Sequence, residues 1–143
     1  MFARLLVAAG IAMSSAAQAG QESPQAVLDR FAANFHTMDA AAQAALFRPD
    51  ATFLGSSVPG MLRGPEGALG YFRTAWANAA PGTMTCDPVF QQPSPDVVLF
   101  SAICRLVRPE RTAVLRANGT ILRDAEGWRF ADLHVSATPL PRG

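Results

Sequence analysis

The sequence predicts an α+β domain in which helices pack on one face of a strongly curved antiparallel sheet. In the first half of the chain, apolar residues recur at helical spacing in stretches that begin with capping residues and proline. After Gly82 the chain changes to mostly apolar, strand-like runs joined by turns. Such segregation of helices and strands is typical of α+β folds. A curved sheet with helices across its concave side leaves a conical cavity.

Three helices are predicted before Gly82. The first covers residues 24 to about 37, because Ser23 can cap it, Pro24 suits its first position, and apolar residues follow at helical spacing. The second covers residues 40–46 and has Asp39 as its cap, with Pro49 ending the segment. The third begins at Gly64-Pro65 and ends before Gly82.

Short strands are predicted between the second and third helices, and longer ones in the second half. The four long strands are joined as hairpins, which makes the predicted sheet antiparallel. The predicted short strands are residues 51–55 and 61–63, and the long strands are residues 83–91, 97–107, 112–123 and 128–137.

The first 19 residues are interpreted as a secretory signal peptide, followed by one domain over residues 20–143. Arg4 supplies a positive charge, Leu5 to Met13 forms an apolar run, and Ala17-Gln18-Ala19 is a small-x-small cleavage site. The run is shorter than the roughly 20 residues that a membrane span needs. A helix docked on the domain is the alternative. Cleavage after Ala19 predicts a bacterial protein that is periplasmic or secreted.

Charge and composition exclude several partners. Without Arg4, eleven arginines face eleven acidic residues, and the chain contains no lysine. A nearly neutral chain without a basic stripe argues against nucleic acid and against an anionic membrane surface as partners. The two histidines, His36 and His134, lie among scattered acids without the spacing of zinc ligands. We therefore expect no metal and no cofactor.

The two cysteines are predicted to form a disulfide across a hairpin. Residues 91–96 read as a turn, and folding the chain about Pro95 places Cys86 opposite Cys104. Directly opposed residues on neighbouring strands come close enough to bridge. An even number of cysteines in an exported chain also favours a disulfide. Two buried thiols are the alternative.

Three motifs in sequence order resemble the NTF2-like superfamily, also called SnoaL-like. They are Phe47-Arg48-Pro49-Asp50-Ala51-Thr52-Phe53, then Arg63-Gly64-Pro65-Glu66-Gly67 with Tyr71-Phe72, and then Gly127-Trp128-Arg129-Phe130 with Asp132 to Ser136 and Pro139. The last is similar to a subgroup that includes SgcJ/EcaC-type proteins and the association domain of calcium/calmodulin-dependent kinase II. The superfamily hosts isomerases, dehydratases, cyclases, transport factors, immunity proteins and oligomerisation hubs, so the resemblance implies a fold and a pocket more than an activity.

Two arginines are candidates for binding an anion in that pocket. Arg105 interrupts an apolar strand, and the resemblance to the association-domain branch implies that it lines the pocket. A solvated or structurally paired arginine is the alternative. Arg116 lies on the next strand, where bacterial members commonly carry an arginine. If the two share a face, they could bind a carboxylate with forked hydrogen bonds. Tyr71, Trp76 and Phe53 are candidate pocket walls.

Asp132 and His134 are candidate proton-transfer groups on the last strand. They are two residues apart, so they share a face, which regular alternation would also give to Trp128, Phe130 and Ser136. In an isomerase, dehydratase or cyclase, Asp132 would orient the imidazole and His134 would exchange protons. In the alternative, that face packs at a subunit interface and the aliphatic face lines the cavity.

Three functions therefore remain open for the domain. The first is a protein that binds a small organic molecule with a carboxylate or other polar group. The second is an enzyme that uses Asp132 and His134. The third is an assembly module. In each case we expect a homodimer that forms through the outer face of the sheet.

Overall fold

The computed structural model describes residues 20–138 and confirms the α+β prediction. The predicted signal peptide and Pro139 lie outside the described residues. Among residues 20–138, no helix has the length and apolar character to cross a membrane. The helices are α1 (Pro24–Thr37), α2 (Ala40–Ala44) and α3 (Gly64–Trp76), and the strands are β1 (Phe47–Leu54), β2 (Leu62–Arg63), β3 (Thr83–Ser94), β4 (Val97–Val107), β5 (Thr112–Asp124) and β6 (Gly127–Thr138).

Helix α1 begins and ends as its sequence predicts. The Ser23 hydroxyl accepts a hydrogen bond from the amide of Ala26 at 3.0 Å, which caps the first turn. Met38 adopts the left-handed conformation at the other end, and its amide donates to the carbonyl of Asn34 at 2.8 Å. The buried Asn34 side chain donates to Gln43 at 2.7 Å and so joins α1 to α2.

The boundary between α2 and β1 differs from the prediction. Helix α2 ends at Ala44, and β1 begins at Phe47, so Pro49 lies inside a strand instead of after a helix. The pairing of β1 with β6 is interrupted between Phe47 and Thr52, so no ladder bond requires the amide that Pro49 lacks. Phe47 is fully buried against Phe130, which favours an extended chain from that point.

The sheet has six strands in the order β2-β1-β6-β5-β4-β3. Strands β3 to β6 form antiparallel hairpins, as predicted, but β1 runs parallel to β6. The sheet is therefore mixed, not wholly antiparallel. Strand β1 is separated from β6 in sequence by β2, α3, β3, β4 and β5, so no hairpin sets the relative direction of the two strands. The helices cover the concave face, and the aromatic core lies between them and the sheet.

The predicted disulfide between Cys86 and Cys104 is present. The two residues pair directly across β3 and β4, and their Cα atoms are 4.1 Å apart. Cys104 is buried in the core, so the bond ties the last long strand of the sheet to its neighbour from the concave side.

A β-bulge in β6 changes which residues share a face. Thr120 pairs with Asp132 while Ile121 pairs with Phe130, which leaves Ala131 as an extra residue. The alternation of side chains between the inner and outer faces of the sheet therefore changes phase after Phe130. Phe130 packs in the core against Phe31 and is not exposed, so it does not share the face of Asp132, contrary to the regular alternation that we predicted.

Candidate functional site

A cavity of about 230 Å³, which we call the concave cavity, opens between α1, α3 and the concave face of the sheet. Its walls come from both helices, from β1, β4, β5 and β6, and from the loop after β1 and the turn after β4. The aromatic residues of its wall are Phe31, Phe35, Phe53, Tyr71, Phe72 and Trp76.

The predicted wall residues Phe53, Tyr71 and Trp76 do line this cavity. Phe53 stacks on Phe72 with ring centroids 5.6 Å apart and meets the Tyr71 ring edge to face at 4.9 Å. Trp76 packs against Phe35 at 5.2 Å. These rings are held by one another, so the apolar part of the cavity is a preformed surface.

Hydroxyl groups lie on one side of the cavity. Ser56 and Ser57, in the loop after β1, line it together with Tyr71 of α3. The Ser56 hydroxyl lies 3.4 Å from the Tyr71 hydroxyl. Gly55 leaves room for this arrangement, because a Cβ atom there would lie 2.3 Å from Cε2 of Tyr71.

Two arginines of the β4–β5 turn also line the cavity. Arg108 and Arg111 close this turn with backbone hydrogen bonds in both directions, at 2.9 and 3.3 Å. Only 9% of Arg108 is exposed, and its buried Nε has no hydrogen-bond partner. In the part of the chain that the structure describes, no carboxylate lies within 4.0 Å of its guanidinium.

The electrostatic environment of Arg108 is unfavourable for its charge. Burial lowers the pKa of Arg108 from its ordinary value, the nearby charge of Arg111 lowers it further, and Glu110 partly offsets both effects. A guanidinium stays protonated at neutral pH in spite of this. Arg108 is therefore a buried cation without an ionic partner in the described part of the chain, and a buried cation favours an anion beside it.

Gly82 makes the inward position of Arg108 possible. A Cβ atom at Gly82 would lie 2.6 Å from Cδ1 of Leu106 and 2.9 Å from Cγ of Arg108. The Gly82 amide donates to the carbonyl of Phe35 at 2.9 Å, which fixes this segment to α1. A side chain at position 82 would thus compete with Arg108 for space.

The predicted arginines Arg105 and Arg116 lie on the other face of the sheet. Burial alternates along β4, with Cys104 and Leu106 buried and Arg105 exposed between them. Arg116 pairs with Ile103, which is also exposed. The two arginines do share a face, but it is the outer face, and neither lines the concave cavity.

Asp132 and His134 also lie on the outer face, because the bulge at Ala131 shifts the phase of β6. Leu133 and Val135 are buried, and Val135 lines the concave cavity. Asp132 instead borders a shallow groove of about 340 Å³ on the outer face. The aliphatic face of β6 thus looks inward, which is the second of the two orientations that the sequence left open.

Arg108 and Arg111 were missed in the sequence, although β4 contained a signal for Arg108. Every second residue from Phe100 to Leu106 is buried, and the same parity continues to Arg108. Extending the alternation by one step past the strand would have directed Arg108 inward and Arg105 outward. The position of Arg111 is set by the conformation of the turn, to which the alternation of buried and exposed strand residues does not apply.

Among residues 20–138, no group of three histidines, cysteines or acidic residues is arranged to hold a metal ion. Of the described residues that line the concave cavity, only Tyr71, Arg108 and Arg111 carry ionisable side chains. The cavity therefore combines an aromatic wall, three hydroxyls and two cations, without a carboxylate or an imidazole.

Residues 25–141 match the family model of the SnoaL-like domain. Comparison with curated protein sequences finds no match. Among solved structures, the chain is similar to a putative calcium/calmodulin-dependent protein kinase type II association domain from Thiobacillus denitrificans, with a TM-score of 0.72 and 20% identity over 84% of this chain and 98% of that one.

Two further structures are similar to this chain. A ketosteroid isomerase-like protein from Erwinia carotovora atroseptica has a TM-score of 0.70 and 14% identity, over 81% of this chain and 94% of that one. A hexachlorocyclohexane dehydrochlorinase, LinA type 2, has a TM-score of 0.65 and 20% identity, over 81% and 85% of the respective chains. At these identities, the likeness establishes the fold alone.

Proposed function

Because the chain belongs to the SnoaL-like family of NTF2-like domains, we propose that its concave cavity binds a small organic molecule that carries a carboxylate. The observation that carries this proposal is Arg108, a buried guanidinium that lines an aromatic cavity and has no ionic partner among residues 20–138. A carboxylate there would pair with the charge and accept hydrogen bonds from the fork of donors. Arg111, at the same side of the cavity, would add a second cation.

The size and the wall of the cavity limit the rest of the ligand. Its volume of about 230 Å³ is below the roughly 300–1,000 Å³ of drug-sized sites. Such a space accommodates one ring with a short side chain. Phe53, Phe72 and Trp76 line it, which favours an apolar or aromatic body.

Binding is favoured over proton-transfer catalysis by the ionisable groups of the cavity. The described cavity residues include tyrosine and arginine, whose ordinary pKa values lie far above neutral pH, but no histidine or carboxylate. A general base works best with a pKa near the operating pH. Asp132 and His134, the sequence candidates for that role, lie on the outer face.

A thermal-shift measurement on the mature protein tests the proposal with phenylacetate as the probe. We expect phenylacetate, but not the neutral 2-phenylacetamide, to raise the melting temperature of the wild type. Arg108→Met should abolish the shift, since it removes the buried cation. Arg105→Met, on the outer face, is the matched control and should keep the shift. An equal shift in both variants would contradict the proposal.

We propose in addition that two copies associate through the outer face of the sheet. Large apolar side chains are exposed there, including Val89 (66%) and Ile103 (54%). Ile103 on β4 lies between Asp87 on β3 and Arg116 on β5, so this face carries both negative and positive charges. Light scattering should give a dimer for the wild type and a monomer for Ile103→Glu. A monomeric wild type at micromolar concentration would contradict this.

We further propose that the chain is exported and loses residues 1–19. The disulfide between Cys86 and Cys104 supports an oxidising compartment. Expression of the full chain in a bacterium, followed by mass spectrometry of the periplasmic fraction, should detect a protein that begins at Gly20. Recovery of uncleaved chain in the cytoplasm alone would contradict export.

A further inference from the structure

The polar groups of the concave cavity fall into two sets that come from different parts of the fold. One set is Arg108 and Arg111, from the turn after β4. The other is Tyr71 with Ser56, next to the end of β1. A carboxylate bound at Arg108 would occupy only the first set.

The hydroxyls of the second set have unused hydrogen-bonding capacity. The oxygen atoms of Tyr71 and Ser56 are 3.4 Å apart. Hydroxyl pairs that bond well are closer, at about 2.5–3.0 Å, so this contact is weak. Ser56 is exposed and Tyr71 is half-buried, so a ligand oxygen could bond to both.

The Tyr71 hydroxyl is fixed in this position by its surroundings. Its ring packs on Phe53 and on Phe72, with centroids 4.9 and 5.0 Å away. On the other side, the ring lies over Gly55, where a Cβ atom would be 2.9 Å from the hydroxyl oxygen. A ring held in this way presents its hydroxyl with little loss of conformational entropy on binding.

The strand order sets the distance between the two sets. The end of β1 lies three strand spacings of about 4.8 Å, or roughly 14 Å, across the sheet from β4. The register puts Leu54 level with Ser101, so the end of β4 at Val107 is displaced from it along the strand direction as well. Arg108 and Tyr71 both line the cavity from these separate places, and so do Ala113 and Ala137, whose small side chains leave space in it.

We infer that the ligand is an aromatic acid with a second oxygen, a hydroxyl or a carbonyl, which the ring separates from the carboxylate. Arg108 and Arg111 bind the carboxylate, and Tyr71 and Ser56 bind the second oxygen. The inference rests on the proposed function, because it takes the carboxylate site as given. It adds a second anchor that selects hydroxy or oxo acids over unsubstituted ones.

Isothermal titration with matched acids tests the second anchor. The probes are phenylacetate and its 3-hydroxy and 4-hydroxy derivatives, which differ by a single oxygen. We expect at least one hydroxylated acid to bind the wild type roughly fivefold to tenfold more tightly than phenylacetate, as one added hydrogen bond allows. In Tyr71→Phe this advantage should disappear.

Two further variants separate the second anchor from the first. Gly55→Ala keeps the hydroxyl but displaces the Tyr71 ring, so it should also remove the advantage. Arg108→Met should weaken all three acids. A circular-dichroism melt checks that each variant is folded.

Several outcomes would overturn the inference. One is equal binding of all three acids to the wild type, and another is a hydroxyl advantage that survives in a Tyr71→Phe, Ser56→Ala double variant. If the wild type binds phenylacetate but shows no preference for the hydroxylated acids, the second anchor is overturned and the carboxylate site is not. Unchanged phenylacetate affinity in Arg108→Met overturns the proposed function, and the absence of binding by any of the acids overturns both.

Discussion

Two buried arginines of this domain have opposite surroundings. Arg129 on β6 is 6% exposed, and its guanidinium reaches Glu126 at 2.7 Å and Asp124 at 3.1 Å. Arg108 in the turn after β4 is 9% exposed and has no carboxylate within ion-pair distance among the described residues. The two arginines are therefore buried to a similar extent, but only the charge of Arg129 is compensated by nearby carboxylates. The first pattern is that of a structural ion pair, and the second is the observation on which the proposed anion site rests.

The difference can be tested first at Arg129. Arg129→Met removes the cation from a cluster that also includes Arg48, which bonds to Asp124 at 2.6 Å. We expect the free energy of unfolding to fall by about 1–3 kcal/mol, less than for a fully buried pair because Glu126 is largely exposed. Urea denaturation measures the change. Arg116→Met, an exposed arginine on the outer face, is the control and should stay within about 0.5 kcal/mol.

Arg108→Met should have the opposite sign. Replacing an uncompensated buried cation with an apolar side chain of similar length removes a desolvation cost, so we expect the ligand-free protein to gain about 1–2 kcal/mol. The same urea experiment measures it. A loss of stability similar to that of Arg129→Met would show that Arg108 is held by structural partners and would remove the contrast.

Gly82→Ala tests whether the position of Arg108 depends on the space beside it. The new methyl group would meet Leu106 and Arg108 at less than 3.0 Å, so the arginine side chain must move. We expect the affinity for phenylacetate to fall by roughly threefold to tenfold, equivalent to about 0.7–1.4 kcal/mol, by titration calorimetry. Gly70→Ala is the control, because a Cβ atom there meets no atom within 4 Å.

The smallest expected effect is the pH dependence of the compensated cluster. A backbone hydrogen bond from Glu126 is the main cause that lowers the pKa of Asp124, and the charges of Arg129 and Arg48 lower it further. A carboxyl group with a lowered folded-state pKa stabilises the fold above its unfolded pKa, and this contribution is lost as pH falls through the folded value. Asp124→Asn should therefore flatten the loss of stability below about pH 4. Urea denaturation between neutral and acidic pH measures it, and an unchanged acid slope would contradict the assignment.

Much of this fold could be predicted from the sequence because local patterns specify it. Ser23 and Pro24 mark the start of α1, and the turn about Pro95 pairs Cys86 with Cys104. The parallel pairing of β1 with β6 could not be predicted in this way, because it joins segments that lie far apart in the chain.

The face of β6 that lines the concave cavity was harder to predict than the position of the strand in the sequence. A single extra residue, Ala131, decides whether His134 looks inward or outward, and nothing in its side chain marks a bulge. Gly119 on the neighbouring strand is the one local trace, since a Cβ atom there would lie 2.2 Å from the carbonyl oxygen of Asp132. Gly119 indicates the bulge only when its partner strand is known, and the local sequence pattern does not identify that strand.

The two edges of the sheet have a consequence for how the molecule avoids uncontrolled association. Strand β2 is only two residues long, and β3 carries Pro88 and Pro93, which lack the amide that an added strand would need. The disulfide between Cys86 and Cys104 also holds the edge strand β3 on β4, so that β3 cannot separate from the sheet and pair with another chain. Fibril-like growth from edge to edge is thereby disfavoured.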